Sequence, residues 1–376
     1  MNPCVKKVLI IGGGFSGMSA AIELSKRGID THLVEIDPNW RAEGAGISIG
    51  GATLRAFKTL GILDEFMKQG SAHSGLDIHA PHGMHIAHIP TPVLGDPDIP
   101  KSGAIMRPAL AKILAEKTKQ SGTKVKLGVT FTDIEQLENS VKVSFTDDTT
   151  DEFDLVIGSD GLYSKVRTTM FPEAEKPKYI GQGVWRAVVP RFPEVNNTMM
   201  WVGEHLKAGV NPMSKDEMYM FVTQDKKDGS WIEPDLFVDM LKDIMKAFPA
   251  PMLQKISDGL GEDSFINYRP LERLLVPAPW YKKNILLIGD AVHATTPHLA
   301  SGACIGIEDA LVLAEELAEN TSLDTALEKF QTRRFERCRM VVENSGRLAQ
   351  IEIDGGDKEE HTAIMRESMV ALAQPI

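Results

Sequence analysis

Apolar residues fall along this chain in two rhythms. Val8-Leu9-Ile10-Ile11 is a continuous apolar run that stops at Gly12-Gly13-Gly14. Such a run suits a parallel strand buried on both faces. Beyond the glycines, Met18, Ala21, Ile22 and Leu24 recur at helical spacing, with Gly28 as the stop. Thr31 to Ile36 predicts a second strand, which carries Glu35 near its end. Residues 52–69 predict one amphipathic helix with Leu54, Phe57, Leu60 and Phe66 on a single face. Residues 75–90 predict a hairpin turning near Pro81-His82-Gly83, and a Pro-rich loop follows at 90–100. A helix is expected at 107–120, then a β-meander over 124–157 with turns at Asn139-Ser140 and Asp147-Asp148. Residues 176–275 mix short strands with helices near 235–248 and 251–258. Leu286-Leu287-Ile288-Gly289 repeats the buried-strand signature. Helices are predicted at 303–318 and 323–350, and the tail after 352 is polar and then helical.

The first turn carries chemistry. Gly12, Gly14 and Gly17 fit G-x-G-x-x-G between a strand and a helix, with Phe15 and Ser16 opening the helix. The glycines permit a tight turn, close approach of backbone to a pyrophosphate, and close packing of helix on strand. The helix N-terminus aims its N–H groups at the anion. Glu35 lies about 20 residues on, where a carboxylate can accept both ribose hydroxyls. Two later strands also end in glycine and acid. Asp154-Leu-Val-Ile-Gly158 leads to Asp160-Gly161, with Ser164 and Arg167 beyond. Gly289-Asp290 is followed by a loop through Pro297 and a helix that starts near Gly302 and Ala303. Ligands of open α/β sheets bind at this strand edge. Elements of a nucleotide fold thus begin and end the chain, and the middle differs in texture. The expected fold class is α/β with an α+β insert. A Rossmann-like domain takes residues 1–72, 96–175 and 276–350; a mixed β-sheet substrate domain takes 73–95 and 176–275; residues 351–376 form a C-terminal tail or helix.

Composition narrows the partners. The 376 residues hold 41 Lys and Arg against 52 Asp and Glu, a net charge of −11 with no long basic run. That argues against a nucleic-acid partner. No apolar stretch approaches the roughly 20 residues of a membrane span. The run up to Ile11 is short for a secretory signal. Cys4, Cys304 and Cys338 form no CxxC pair and are expected as reduced thiols of a cytoplasmic protein.

Taken together, Gly12/Gly14/Gly17 with Glu35, then Asp160-Gly161, then Gly289-Asp290 with Pro297 resemble the class A flavoprotein monooxygenases, the family of para-hydroxybenzoate and salicylate hydroxylases. The motifs occur in family order from about residue 5 to 350. Arg41-Ala-Glu-Gly44-Ala45-Gly46-Ile47 and Arg107-Pro-Ala-Leu110 resemble family segments too. The resemblance implies bound FAD, with Arg41, Arg107 and Val129 among its contacts and Arg167 as a further candidate. Asp290 is expected to hold the ribityl hydroxyls. The N–H groups near Gly302 and Ala303 are expected to meet the pyrimidine carbonyls of the flavin. NADH or NADPH would reduce the flavin, O₂ would add to it, and a C4a-hydroperoxide would hydroxylate a small phenolic or carboxylate-bearing ring. The pattern at 297–303 looks most like oxygenases of single-ring heteroaromatic or aromatic acids, such as the methylhydroxypyridine carboxylate oxygenases. Two positions depart from the family. Ala300 stands where many members have glycine, and Cys304 where many have asparagine.

Substrate contacts are expected from the middle segment. Arg186 can pair with a carboxylate and Tyr219 can hydrogen-bond a ring hydroxyl. The plainer readings are a surface charge and a core-edge residue. His298, beside Pro297, can act as a base on a phenol or lie in solvent as a loop histidine. Five histidines, His73, His79, His82, His85 and His88, crowd into sixteen residues. Period-two geometry sends His79, His85 and His88 to differing faces, so the cluster predicts strand edge or pocket lining, and no metal site is expected. Alternatives on the same scaffold are oxidative decarboxylation, epoxidation, halogenation, ene reduction or hydroxylation of a secondary metabolite. From another class comes a flavin-binding regulator without turnover. The Trp-x-Trp-x-Ile-Pro signature of flavin halogenases is absent, and no redox cysteine pair suggests a disulfide reductase. The expected partner is a small aromatic molecule, and the expected state is a monomer or homodimer.

Overall fold

Strand Lys7–Ile11 lies at the centre of a six-stranded sheet, with Val8, Leu9 and Ile10 fully buried. The computed structural model describes residues 3–42, 44–92 and 94–376. Parallel neighbours Asp30–Glu35 and Leu155–Gly158 flank the first strand, and Lys124–Leu127 and Ile285–Leu287 extend the sheet in parallel on either side. The antiparallel pair Tyr281–Lys282 completes one edge. Helices Phe15–Lys26 and Gly302–Glu319 pack against each other beside this sheet. Ile134, Val141, Val143, Phe145 and Phe153 of a small antiparallel sheet share the core of the central strands as well, and this full burial explains the unbroken apolar runs.

A second sheet of seven strands is built from the middle of the chain. Its longest strand, Lys178–Pro190, lies second from one edge, paired antiparallel with Glu217–Asp225 on one side and with the edge strand Ile266–Arg273 on the other. The predicted hairpin joins its far edge as Gly75–His79 and His85–Pro90. Trp185, Trp201, Phe248 and the helices Phe237–Met245 and Pro251–Gly259 fill a core of their own. A small antiparallel sheet of Gly46–Gly50, Ser102–Met106 and Ser71–His73 was not anticipated from the sequence. Its strands are three to five residues long, too short for alternation to register.

Three element assignments change. The single helix expected over 52–69 is two, Gly51–Leu60 and Leu63–Gln69, because Gly61 turns left-handed at φ 74°. Phe57 and Phe66 still meet, with ring centroids 5.6 Å apart. The expected meander over 124–157 shrinks to Phe131–Gln136, Val141–Phe145 and Thr150–Phe153, while its outer strands enter the parallel sheet. The middle segment also carries long strands, of 13 and 9 residues, where short ones were expected. The tail is ordered helix, Lys358–Ala373, after a long helix that runs from Leu323 to Asp354. No helix among the described residues is long and apolar enough to cross a membrane.

Candidate active site

One large cavity of about 860 Å³ is walled by the ends of the parallel strands, one face of the seven-stranded sheet and the C-terminal helix. The glycine turn forms its floor. Gly12, at φ +106°, is pressed against Ser159, since a Cβ there would lie 2.5 Å from its carbonyl oxygen. At Gly17 a Cβ would meet the Gly12 carbonyl, so helix and strand approach as closely as the motif requires. Gly14, Phe15 and Ser16 line the cavity, and a Cβ on Gly14 would meet nothing. Helix Phe15–Lys26 has no side-chain cap, so its first N–H groups remain available to an anion. Glu35 accepts from Gly13 N at 2.6 Å and from Asp37 N at 2.8 Å and lines the same wall. Trp40, unanticipated, closes over this loop and donates to the Gly13 carbonyl at 2.8 Å.

The other expected cofactor residues divide. Arg41, Arg107, Gly161, Asp290, Gly302 and Ala303 line the cavity. Arg41 is paired with Asp37 at 2.9 Å. Arg107 lies over the Phe15 ring, 5.0 Å from its centroid. Helix Gly302–Glu319 also lacks a side-chain cap, which brings a second open N-terminus to the cavity. Two uncapped helix starts and two carboxylates on one cavity fit a dinucleotide that carries a pyrophosphate, polyol hydroxyls and a carbonyl-rich ring. Gly289 turns the chain at φ 63°, and a Cβ there would strike Ser16 Oγ at 2.4 Å.

Asp160 is a correction. Its carboxylate caps the helix Lys165–Met170, accepting from Ser164 Oγ at 2.5 Å, Lys165 N at 2.7 Å and Val166 N at 3.1 Å, and Ser159 and Gly161 form the wall in its stead. Arg167 is another. Its guanidinium is buried and spent on the carbonyls of Ala291 and Leu162. Val129 hydrogen-bonds through its N–H to the Glu35 carbonyl at 3.1 Å and packs on the sheet core, away from the cavity lining.

The seven-stranded sheet supplies the opposite wall. Arg186 pairs with Phe221 across one ladder and with Asn267 across the other, while Tyr219 faces Val188. Val184, Arg186, Tyr219, Phe221, Asn267 and Arg269 therefore share one face, and all line the cavity. Arg186 is thus no surface charge. Burial lowers the proton affinity of Arg186 and Arg107, the Tyr219 hydroxyl and Asp290 act in the opposite sense, and Arg269 depresses both guanidinium groups further. Burial raises the Tyr219 phenol, which shares a 2.5 Å hydrogen bond with Ser48. Arg269 and Asn267 went unnoticed in the sequence. Their signal was alternation along Ile266–Arg273, which is blurred there by Pro270.

His298 lies in the cavity wall with its side chain 1% exposed, so the solvent reading fails. The base role meets an obstacle as well. Nδ1 lies 2.9 Å from Thr296 Oγ1, and Nε2 faces Glu352 at 3.4 Å, an ion-pair distance, without a hydrogen bond of its own. Burial lowers its basicity, with Glu352 working against that. The expected differing faces are not seen among the clustered histidines, since His79 pairs with His85 across the hairpin, ring centroids 5.2 Å apart, and His88 pairs with Asp77 beside them. His73 meets Ser102 at 2.9 Å, His79 stacks on Trp201, and His85 and His88 face Asp77 at 3.8 and 2.7 Å. The one group with metal-like geometry among the described residues, His293, Asp309 and Cys338, lies in the core beside Arg334.

Ala300 takes the left-handed conformation at φ 49°. An L-residue there costs about 1–2 kcal/mol, offset partly by the larger entropy glycine loses on folding. Ala300→Gly is expected to stabilise the protein by about 0.5–1 kcal/mol, read as a higher urea midpoint at unchanged slope. Cys304 is buried beside Thr53, and burial pushes its thiol far up, so it behaves as a small apolar residue.

The comparisons with known proteins agree with this geometry. The family model described as FAD binding domain matches residues 6–345. The chain belongs to the class A FAD-dependent monooxygenases. A Bacillus subtilis protein named "Putative FAD-dependent monooxygenase YetM" is 31% identical over 96% of this chain and 100% of its own length. The 2-heptyl-3-hydroxy-4(1H)-quinolone synthase of Pseudomonas aeruginosa is 30% identical over 92% of this chain and 90% of its own. The crystal structure of Klebsiella pneumoniae HpxO, complexed with FAD and uric acid, covers 98% of this monooxygenase and 93% of its own chain, with a TM-score of 0.82 and 23% identity. The fold is therefore shared with that flavoprotein.

Proposed function

We propose that this monooxygenase hydroxylates a small aromatic or heteroaromatic ring that bears an ionisable hydroxyl or carboxylate, with NADH or NADPH as electron source. The observation that carries this reading is the cation cluster. Arg107, Arg186 and Arg269 line one cavity, and Arg269 lies close enough to the other two to disfavour the charge on each, in a wall otherwise rich in apolar groups. An anion on the ring would relieve that repulsion and fix its orientation. The two relatives with curated names support a flavin oxygenation, and the quinolone synthase supports a heteroaromatic ring.

Bound FAD supplies electron transfer and activation of O₂. This chain's residues do the rest. Gly14, Phe15 and Ser16 receive the pyrophosphate, and Glu35 holds the ribose. Asp290 takes the ribityl hydroxyls. Gly302 and Ala303 N–H groups hold the ring edge and favour negative charge on it. Arg186 pairs with the substrate anion, and Tyr219, polarised through Ser48, hydrogen-bonds a ring hydroxyl. Pro297 and His298 shape the wall between ring and long helix. One oxygen atom enters the ring, the other leaves as water, and the nicotinamide supplies the two electrons. The sheet face and the C-terminal helix exclude bulk water, which limits loss of oxidant as H₂O₂.

The test is a panel of phenols, aromatic acids and heteroaromatic acids scored for stimulated NADH and NADPH oxidation, with H₂O₂ measured beside it. At least one ligand is expected to stimulate oxidation with little H₂O₂. No stimulation by any ligand would overturn the reading and favour a flavin-binding regulator. Arg186→Gln is expected to raise KM for an acidic ligand about 10- to 100-fold, and Tyr219→Phe to divert turnover toward H₂O₂. An unchanged KM in Arg186→Gln would remove it from the substrate contacts.

A further inference from the structure

The cavity extends past the expected ring site. Beside Ala303 and Cys304, an arm of it is lined by the start of helix Gly51–Leu60, Leu94 and the C-terminal helix, which neighbour one another. Met365, Met369 and Leu372 of that helix line this arm at spacings of four and three residues, so one helical stripe faces inward. Arg366, Glu367 and Val370 face solvent. The stripe spans about 10 Å along the helix. Across from it lie Ala52 and the buried thiol of Cys304, which brings no amide into the arm.

The C-terminal helix is held in place at its end. Arg55 donates to the carbonyls of Ala373 and Gln374 at 3.0 and 2.8 Å, and Arg337 to those of Ala371 and Leu372 at 2.9 and 2.8 Å. Cations at a helix C-terminus complement its dipole. Arg337 is in turn fixed by both oxygens of buried Glu308, at 2.7 Å each. The wall is thus anchored to the helix whose N-terminus meets the flavin site, although the lining itself is flexible methionine, which adapts to apolar guests.

We infer that the arm walled by Met365, Met369 and Leu372 binds an apolar alkyl tail on the aromatic substrate, which makes the C-terminal helix a specificity element. This rests on the aromatic reading above. The cationic end of the cavity takes the ring anion, and the apolar arm takes the tail. An acidic or strongly polar substituent is excluded from the arm by desolvation.

The test uses FAD-loaded protein and 2-methyl-, 2-pentyl- and 2-heptyl-4(1H)-quinolone, with binding read from the flavin absorbance spectrum. Affinity is expected to rise with chain length by up to about fourfold per buried methylene. Met369→Trp, which fills the arm, is expected to bring the longer members down toward the methyl one. Met369→Ala, which enlarges it, is expected to keep the rise and favour the longest chain. FAD content and the melting midpoint report whether each variant folds. The inference is overturned by equal affinity along the series, or by a rise that persists unaltered in Met369→Trp. Binding of the methyl member alone, with longer chains shut out, overturns the tail and leaves the aromatic reading standing. Silence from all three members overturns the tail as well, and the oxidation panel then decides the aromatic reading separately.

Discussion

Asp309→Asn is expected to destabilise the monooxygenase by about 3–5 kcal/mol and to loosen the loop that presents Asp290. One carboxylate oxygen accepts from Gly289 N at 3.0 Å and from His293 Nε2 at 2.5 Å; the other accepts from Arg334 Nε at 2.8 Å. All three side chains are buried. Burial alone would push the carboxyl up, but the charges of His293 and Arg334 and their hydrogen bonds outweigh it and hold Asp309 at about 2. Burial likewise opposes the charge on His293, and Cys338 and Asp309 reverse that, so its proton affinity is raised well above the ordinary 6.5. An asparagine would leave two buried cations with less than one full counter-charge, since Glu308 is shared among Arg334 and Arg337. The pH dependence has a defined sign. The Asp309 carboxyl is depressed from 3.8, so its contribution is complete above pH 3.8 and is lost as pH falls toward 2. His293 is raised, so its contribution is complete below pH 6.5 and is lost only as pH climbs through its higher folded value. Urea unfolding between pH 2 and 10 checks both. The variant should lose the steep acid limb and show a lower plateau. An unchanged plateau would mean the network contributes no stability.

Glu35→Ala and Asp290→Ala are each expected to weaken FAD binding by about 10- to 100-fold, with protein purified partly or wholly colourless. Glu35 acts twice. Its carboxylate faces the cavity, and it also ties Gly13 N and Asp37 N into the turn, so alanine removes a ligand contact and loosens the loop. Asp290 is exposed and lines the cavity, so its loss should leave the fold intact. Flavin titration of the two apoproteins, with melting midpoints beside it, separates the effects. Glu35→Ala should lose affinity and stability, Asp290→Ala affinity alone. Full FAD content in both would contradict the cofactor placement.

Much of this was legible in the sequence because the glycine turns and buried strands are dictated locally. Gly12 and Gly17 lie where their motif demands, since backbone contact leaves no space for a side chain. The acidic residues were harder. Asp160 has the spacing of a ligand yet caps a helix, because Ser164 and two N–H groups lie within its reach. Asp309 carries no distinguishing local pattern, and its partners Arg334 and His293 come from elements that only the tertiary fold brings together. The strand pairing of 124–127 and 155–158 with the parallel sheet was hidden for the same reason, since their local pattern matches a meander equally well. Arg186 and Tyr219 could be picked out as chemical types. Their shared face with Arg269 depends on register across two ladders. The C-terminal helix as a cavity wall had no signal beyond an apolar stripe at 365, 369 and 372, which suits ordinary packing equally well.

The central claim is oxygen transfer from O₂ to an aromatic ring. Turnover under ¹⁸O₂ with the ligand that best stimulates nicotinamide oxidation tests it most directly, with mass spectrometry of the product. The account predicts a product that carries one ¹⁸O atom per nicotinamide oxidised. Nicotinamide oxidation that yields only H₂O₂, or a product whose new oxygen is unlabelled, would contradict it.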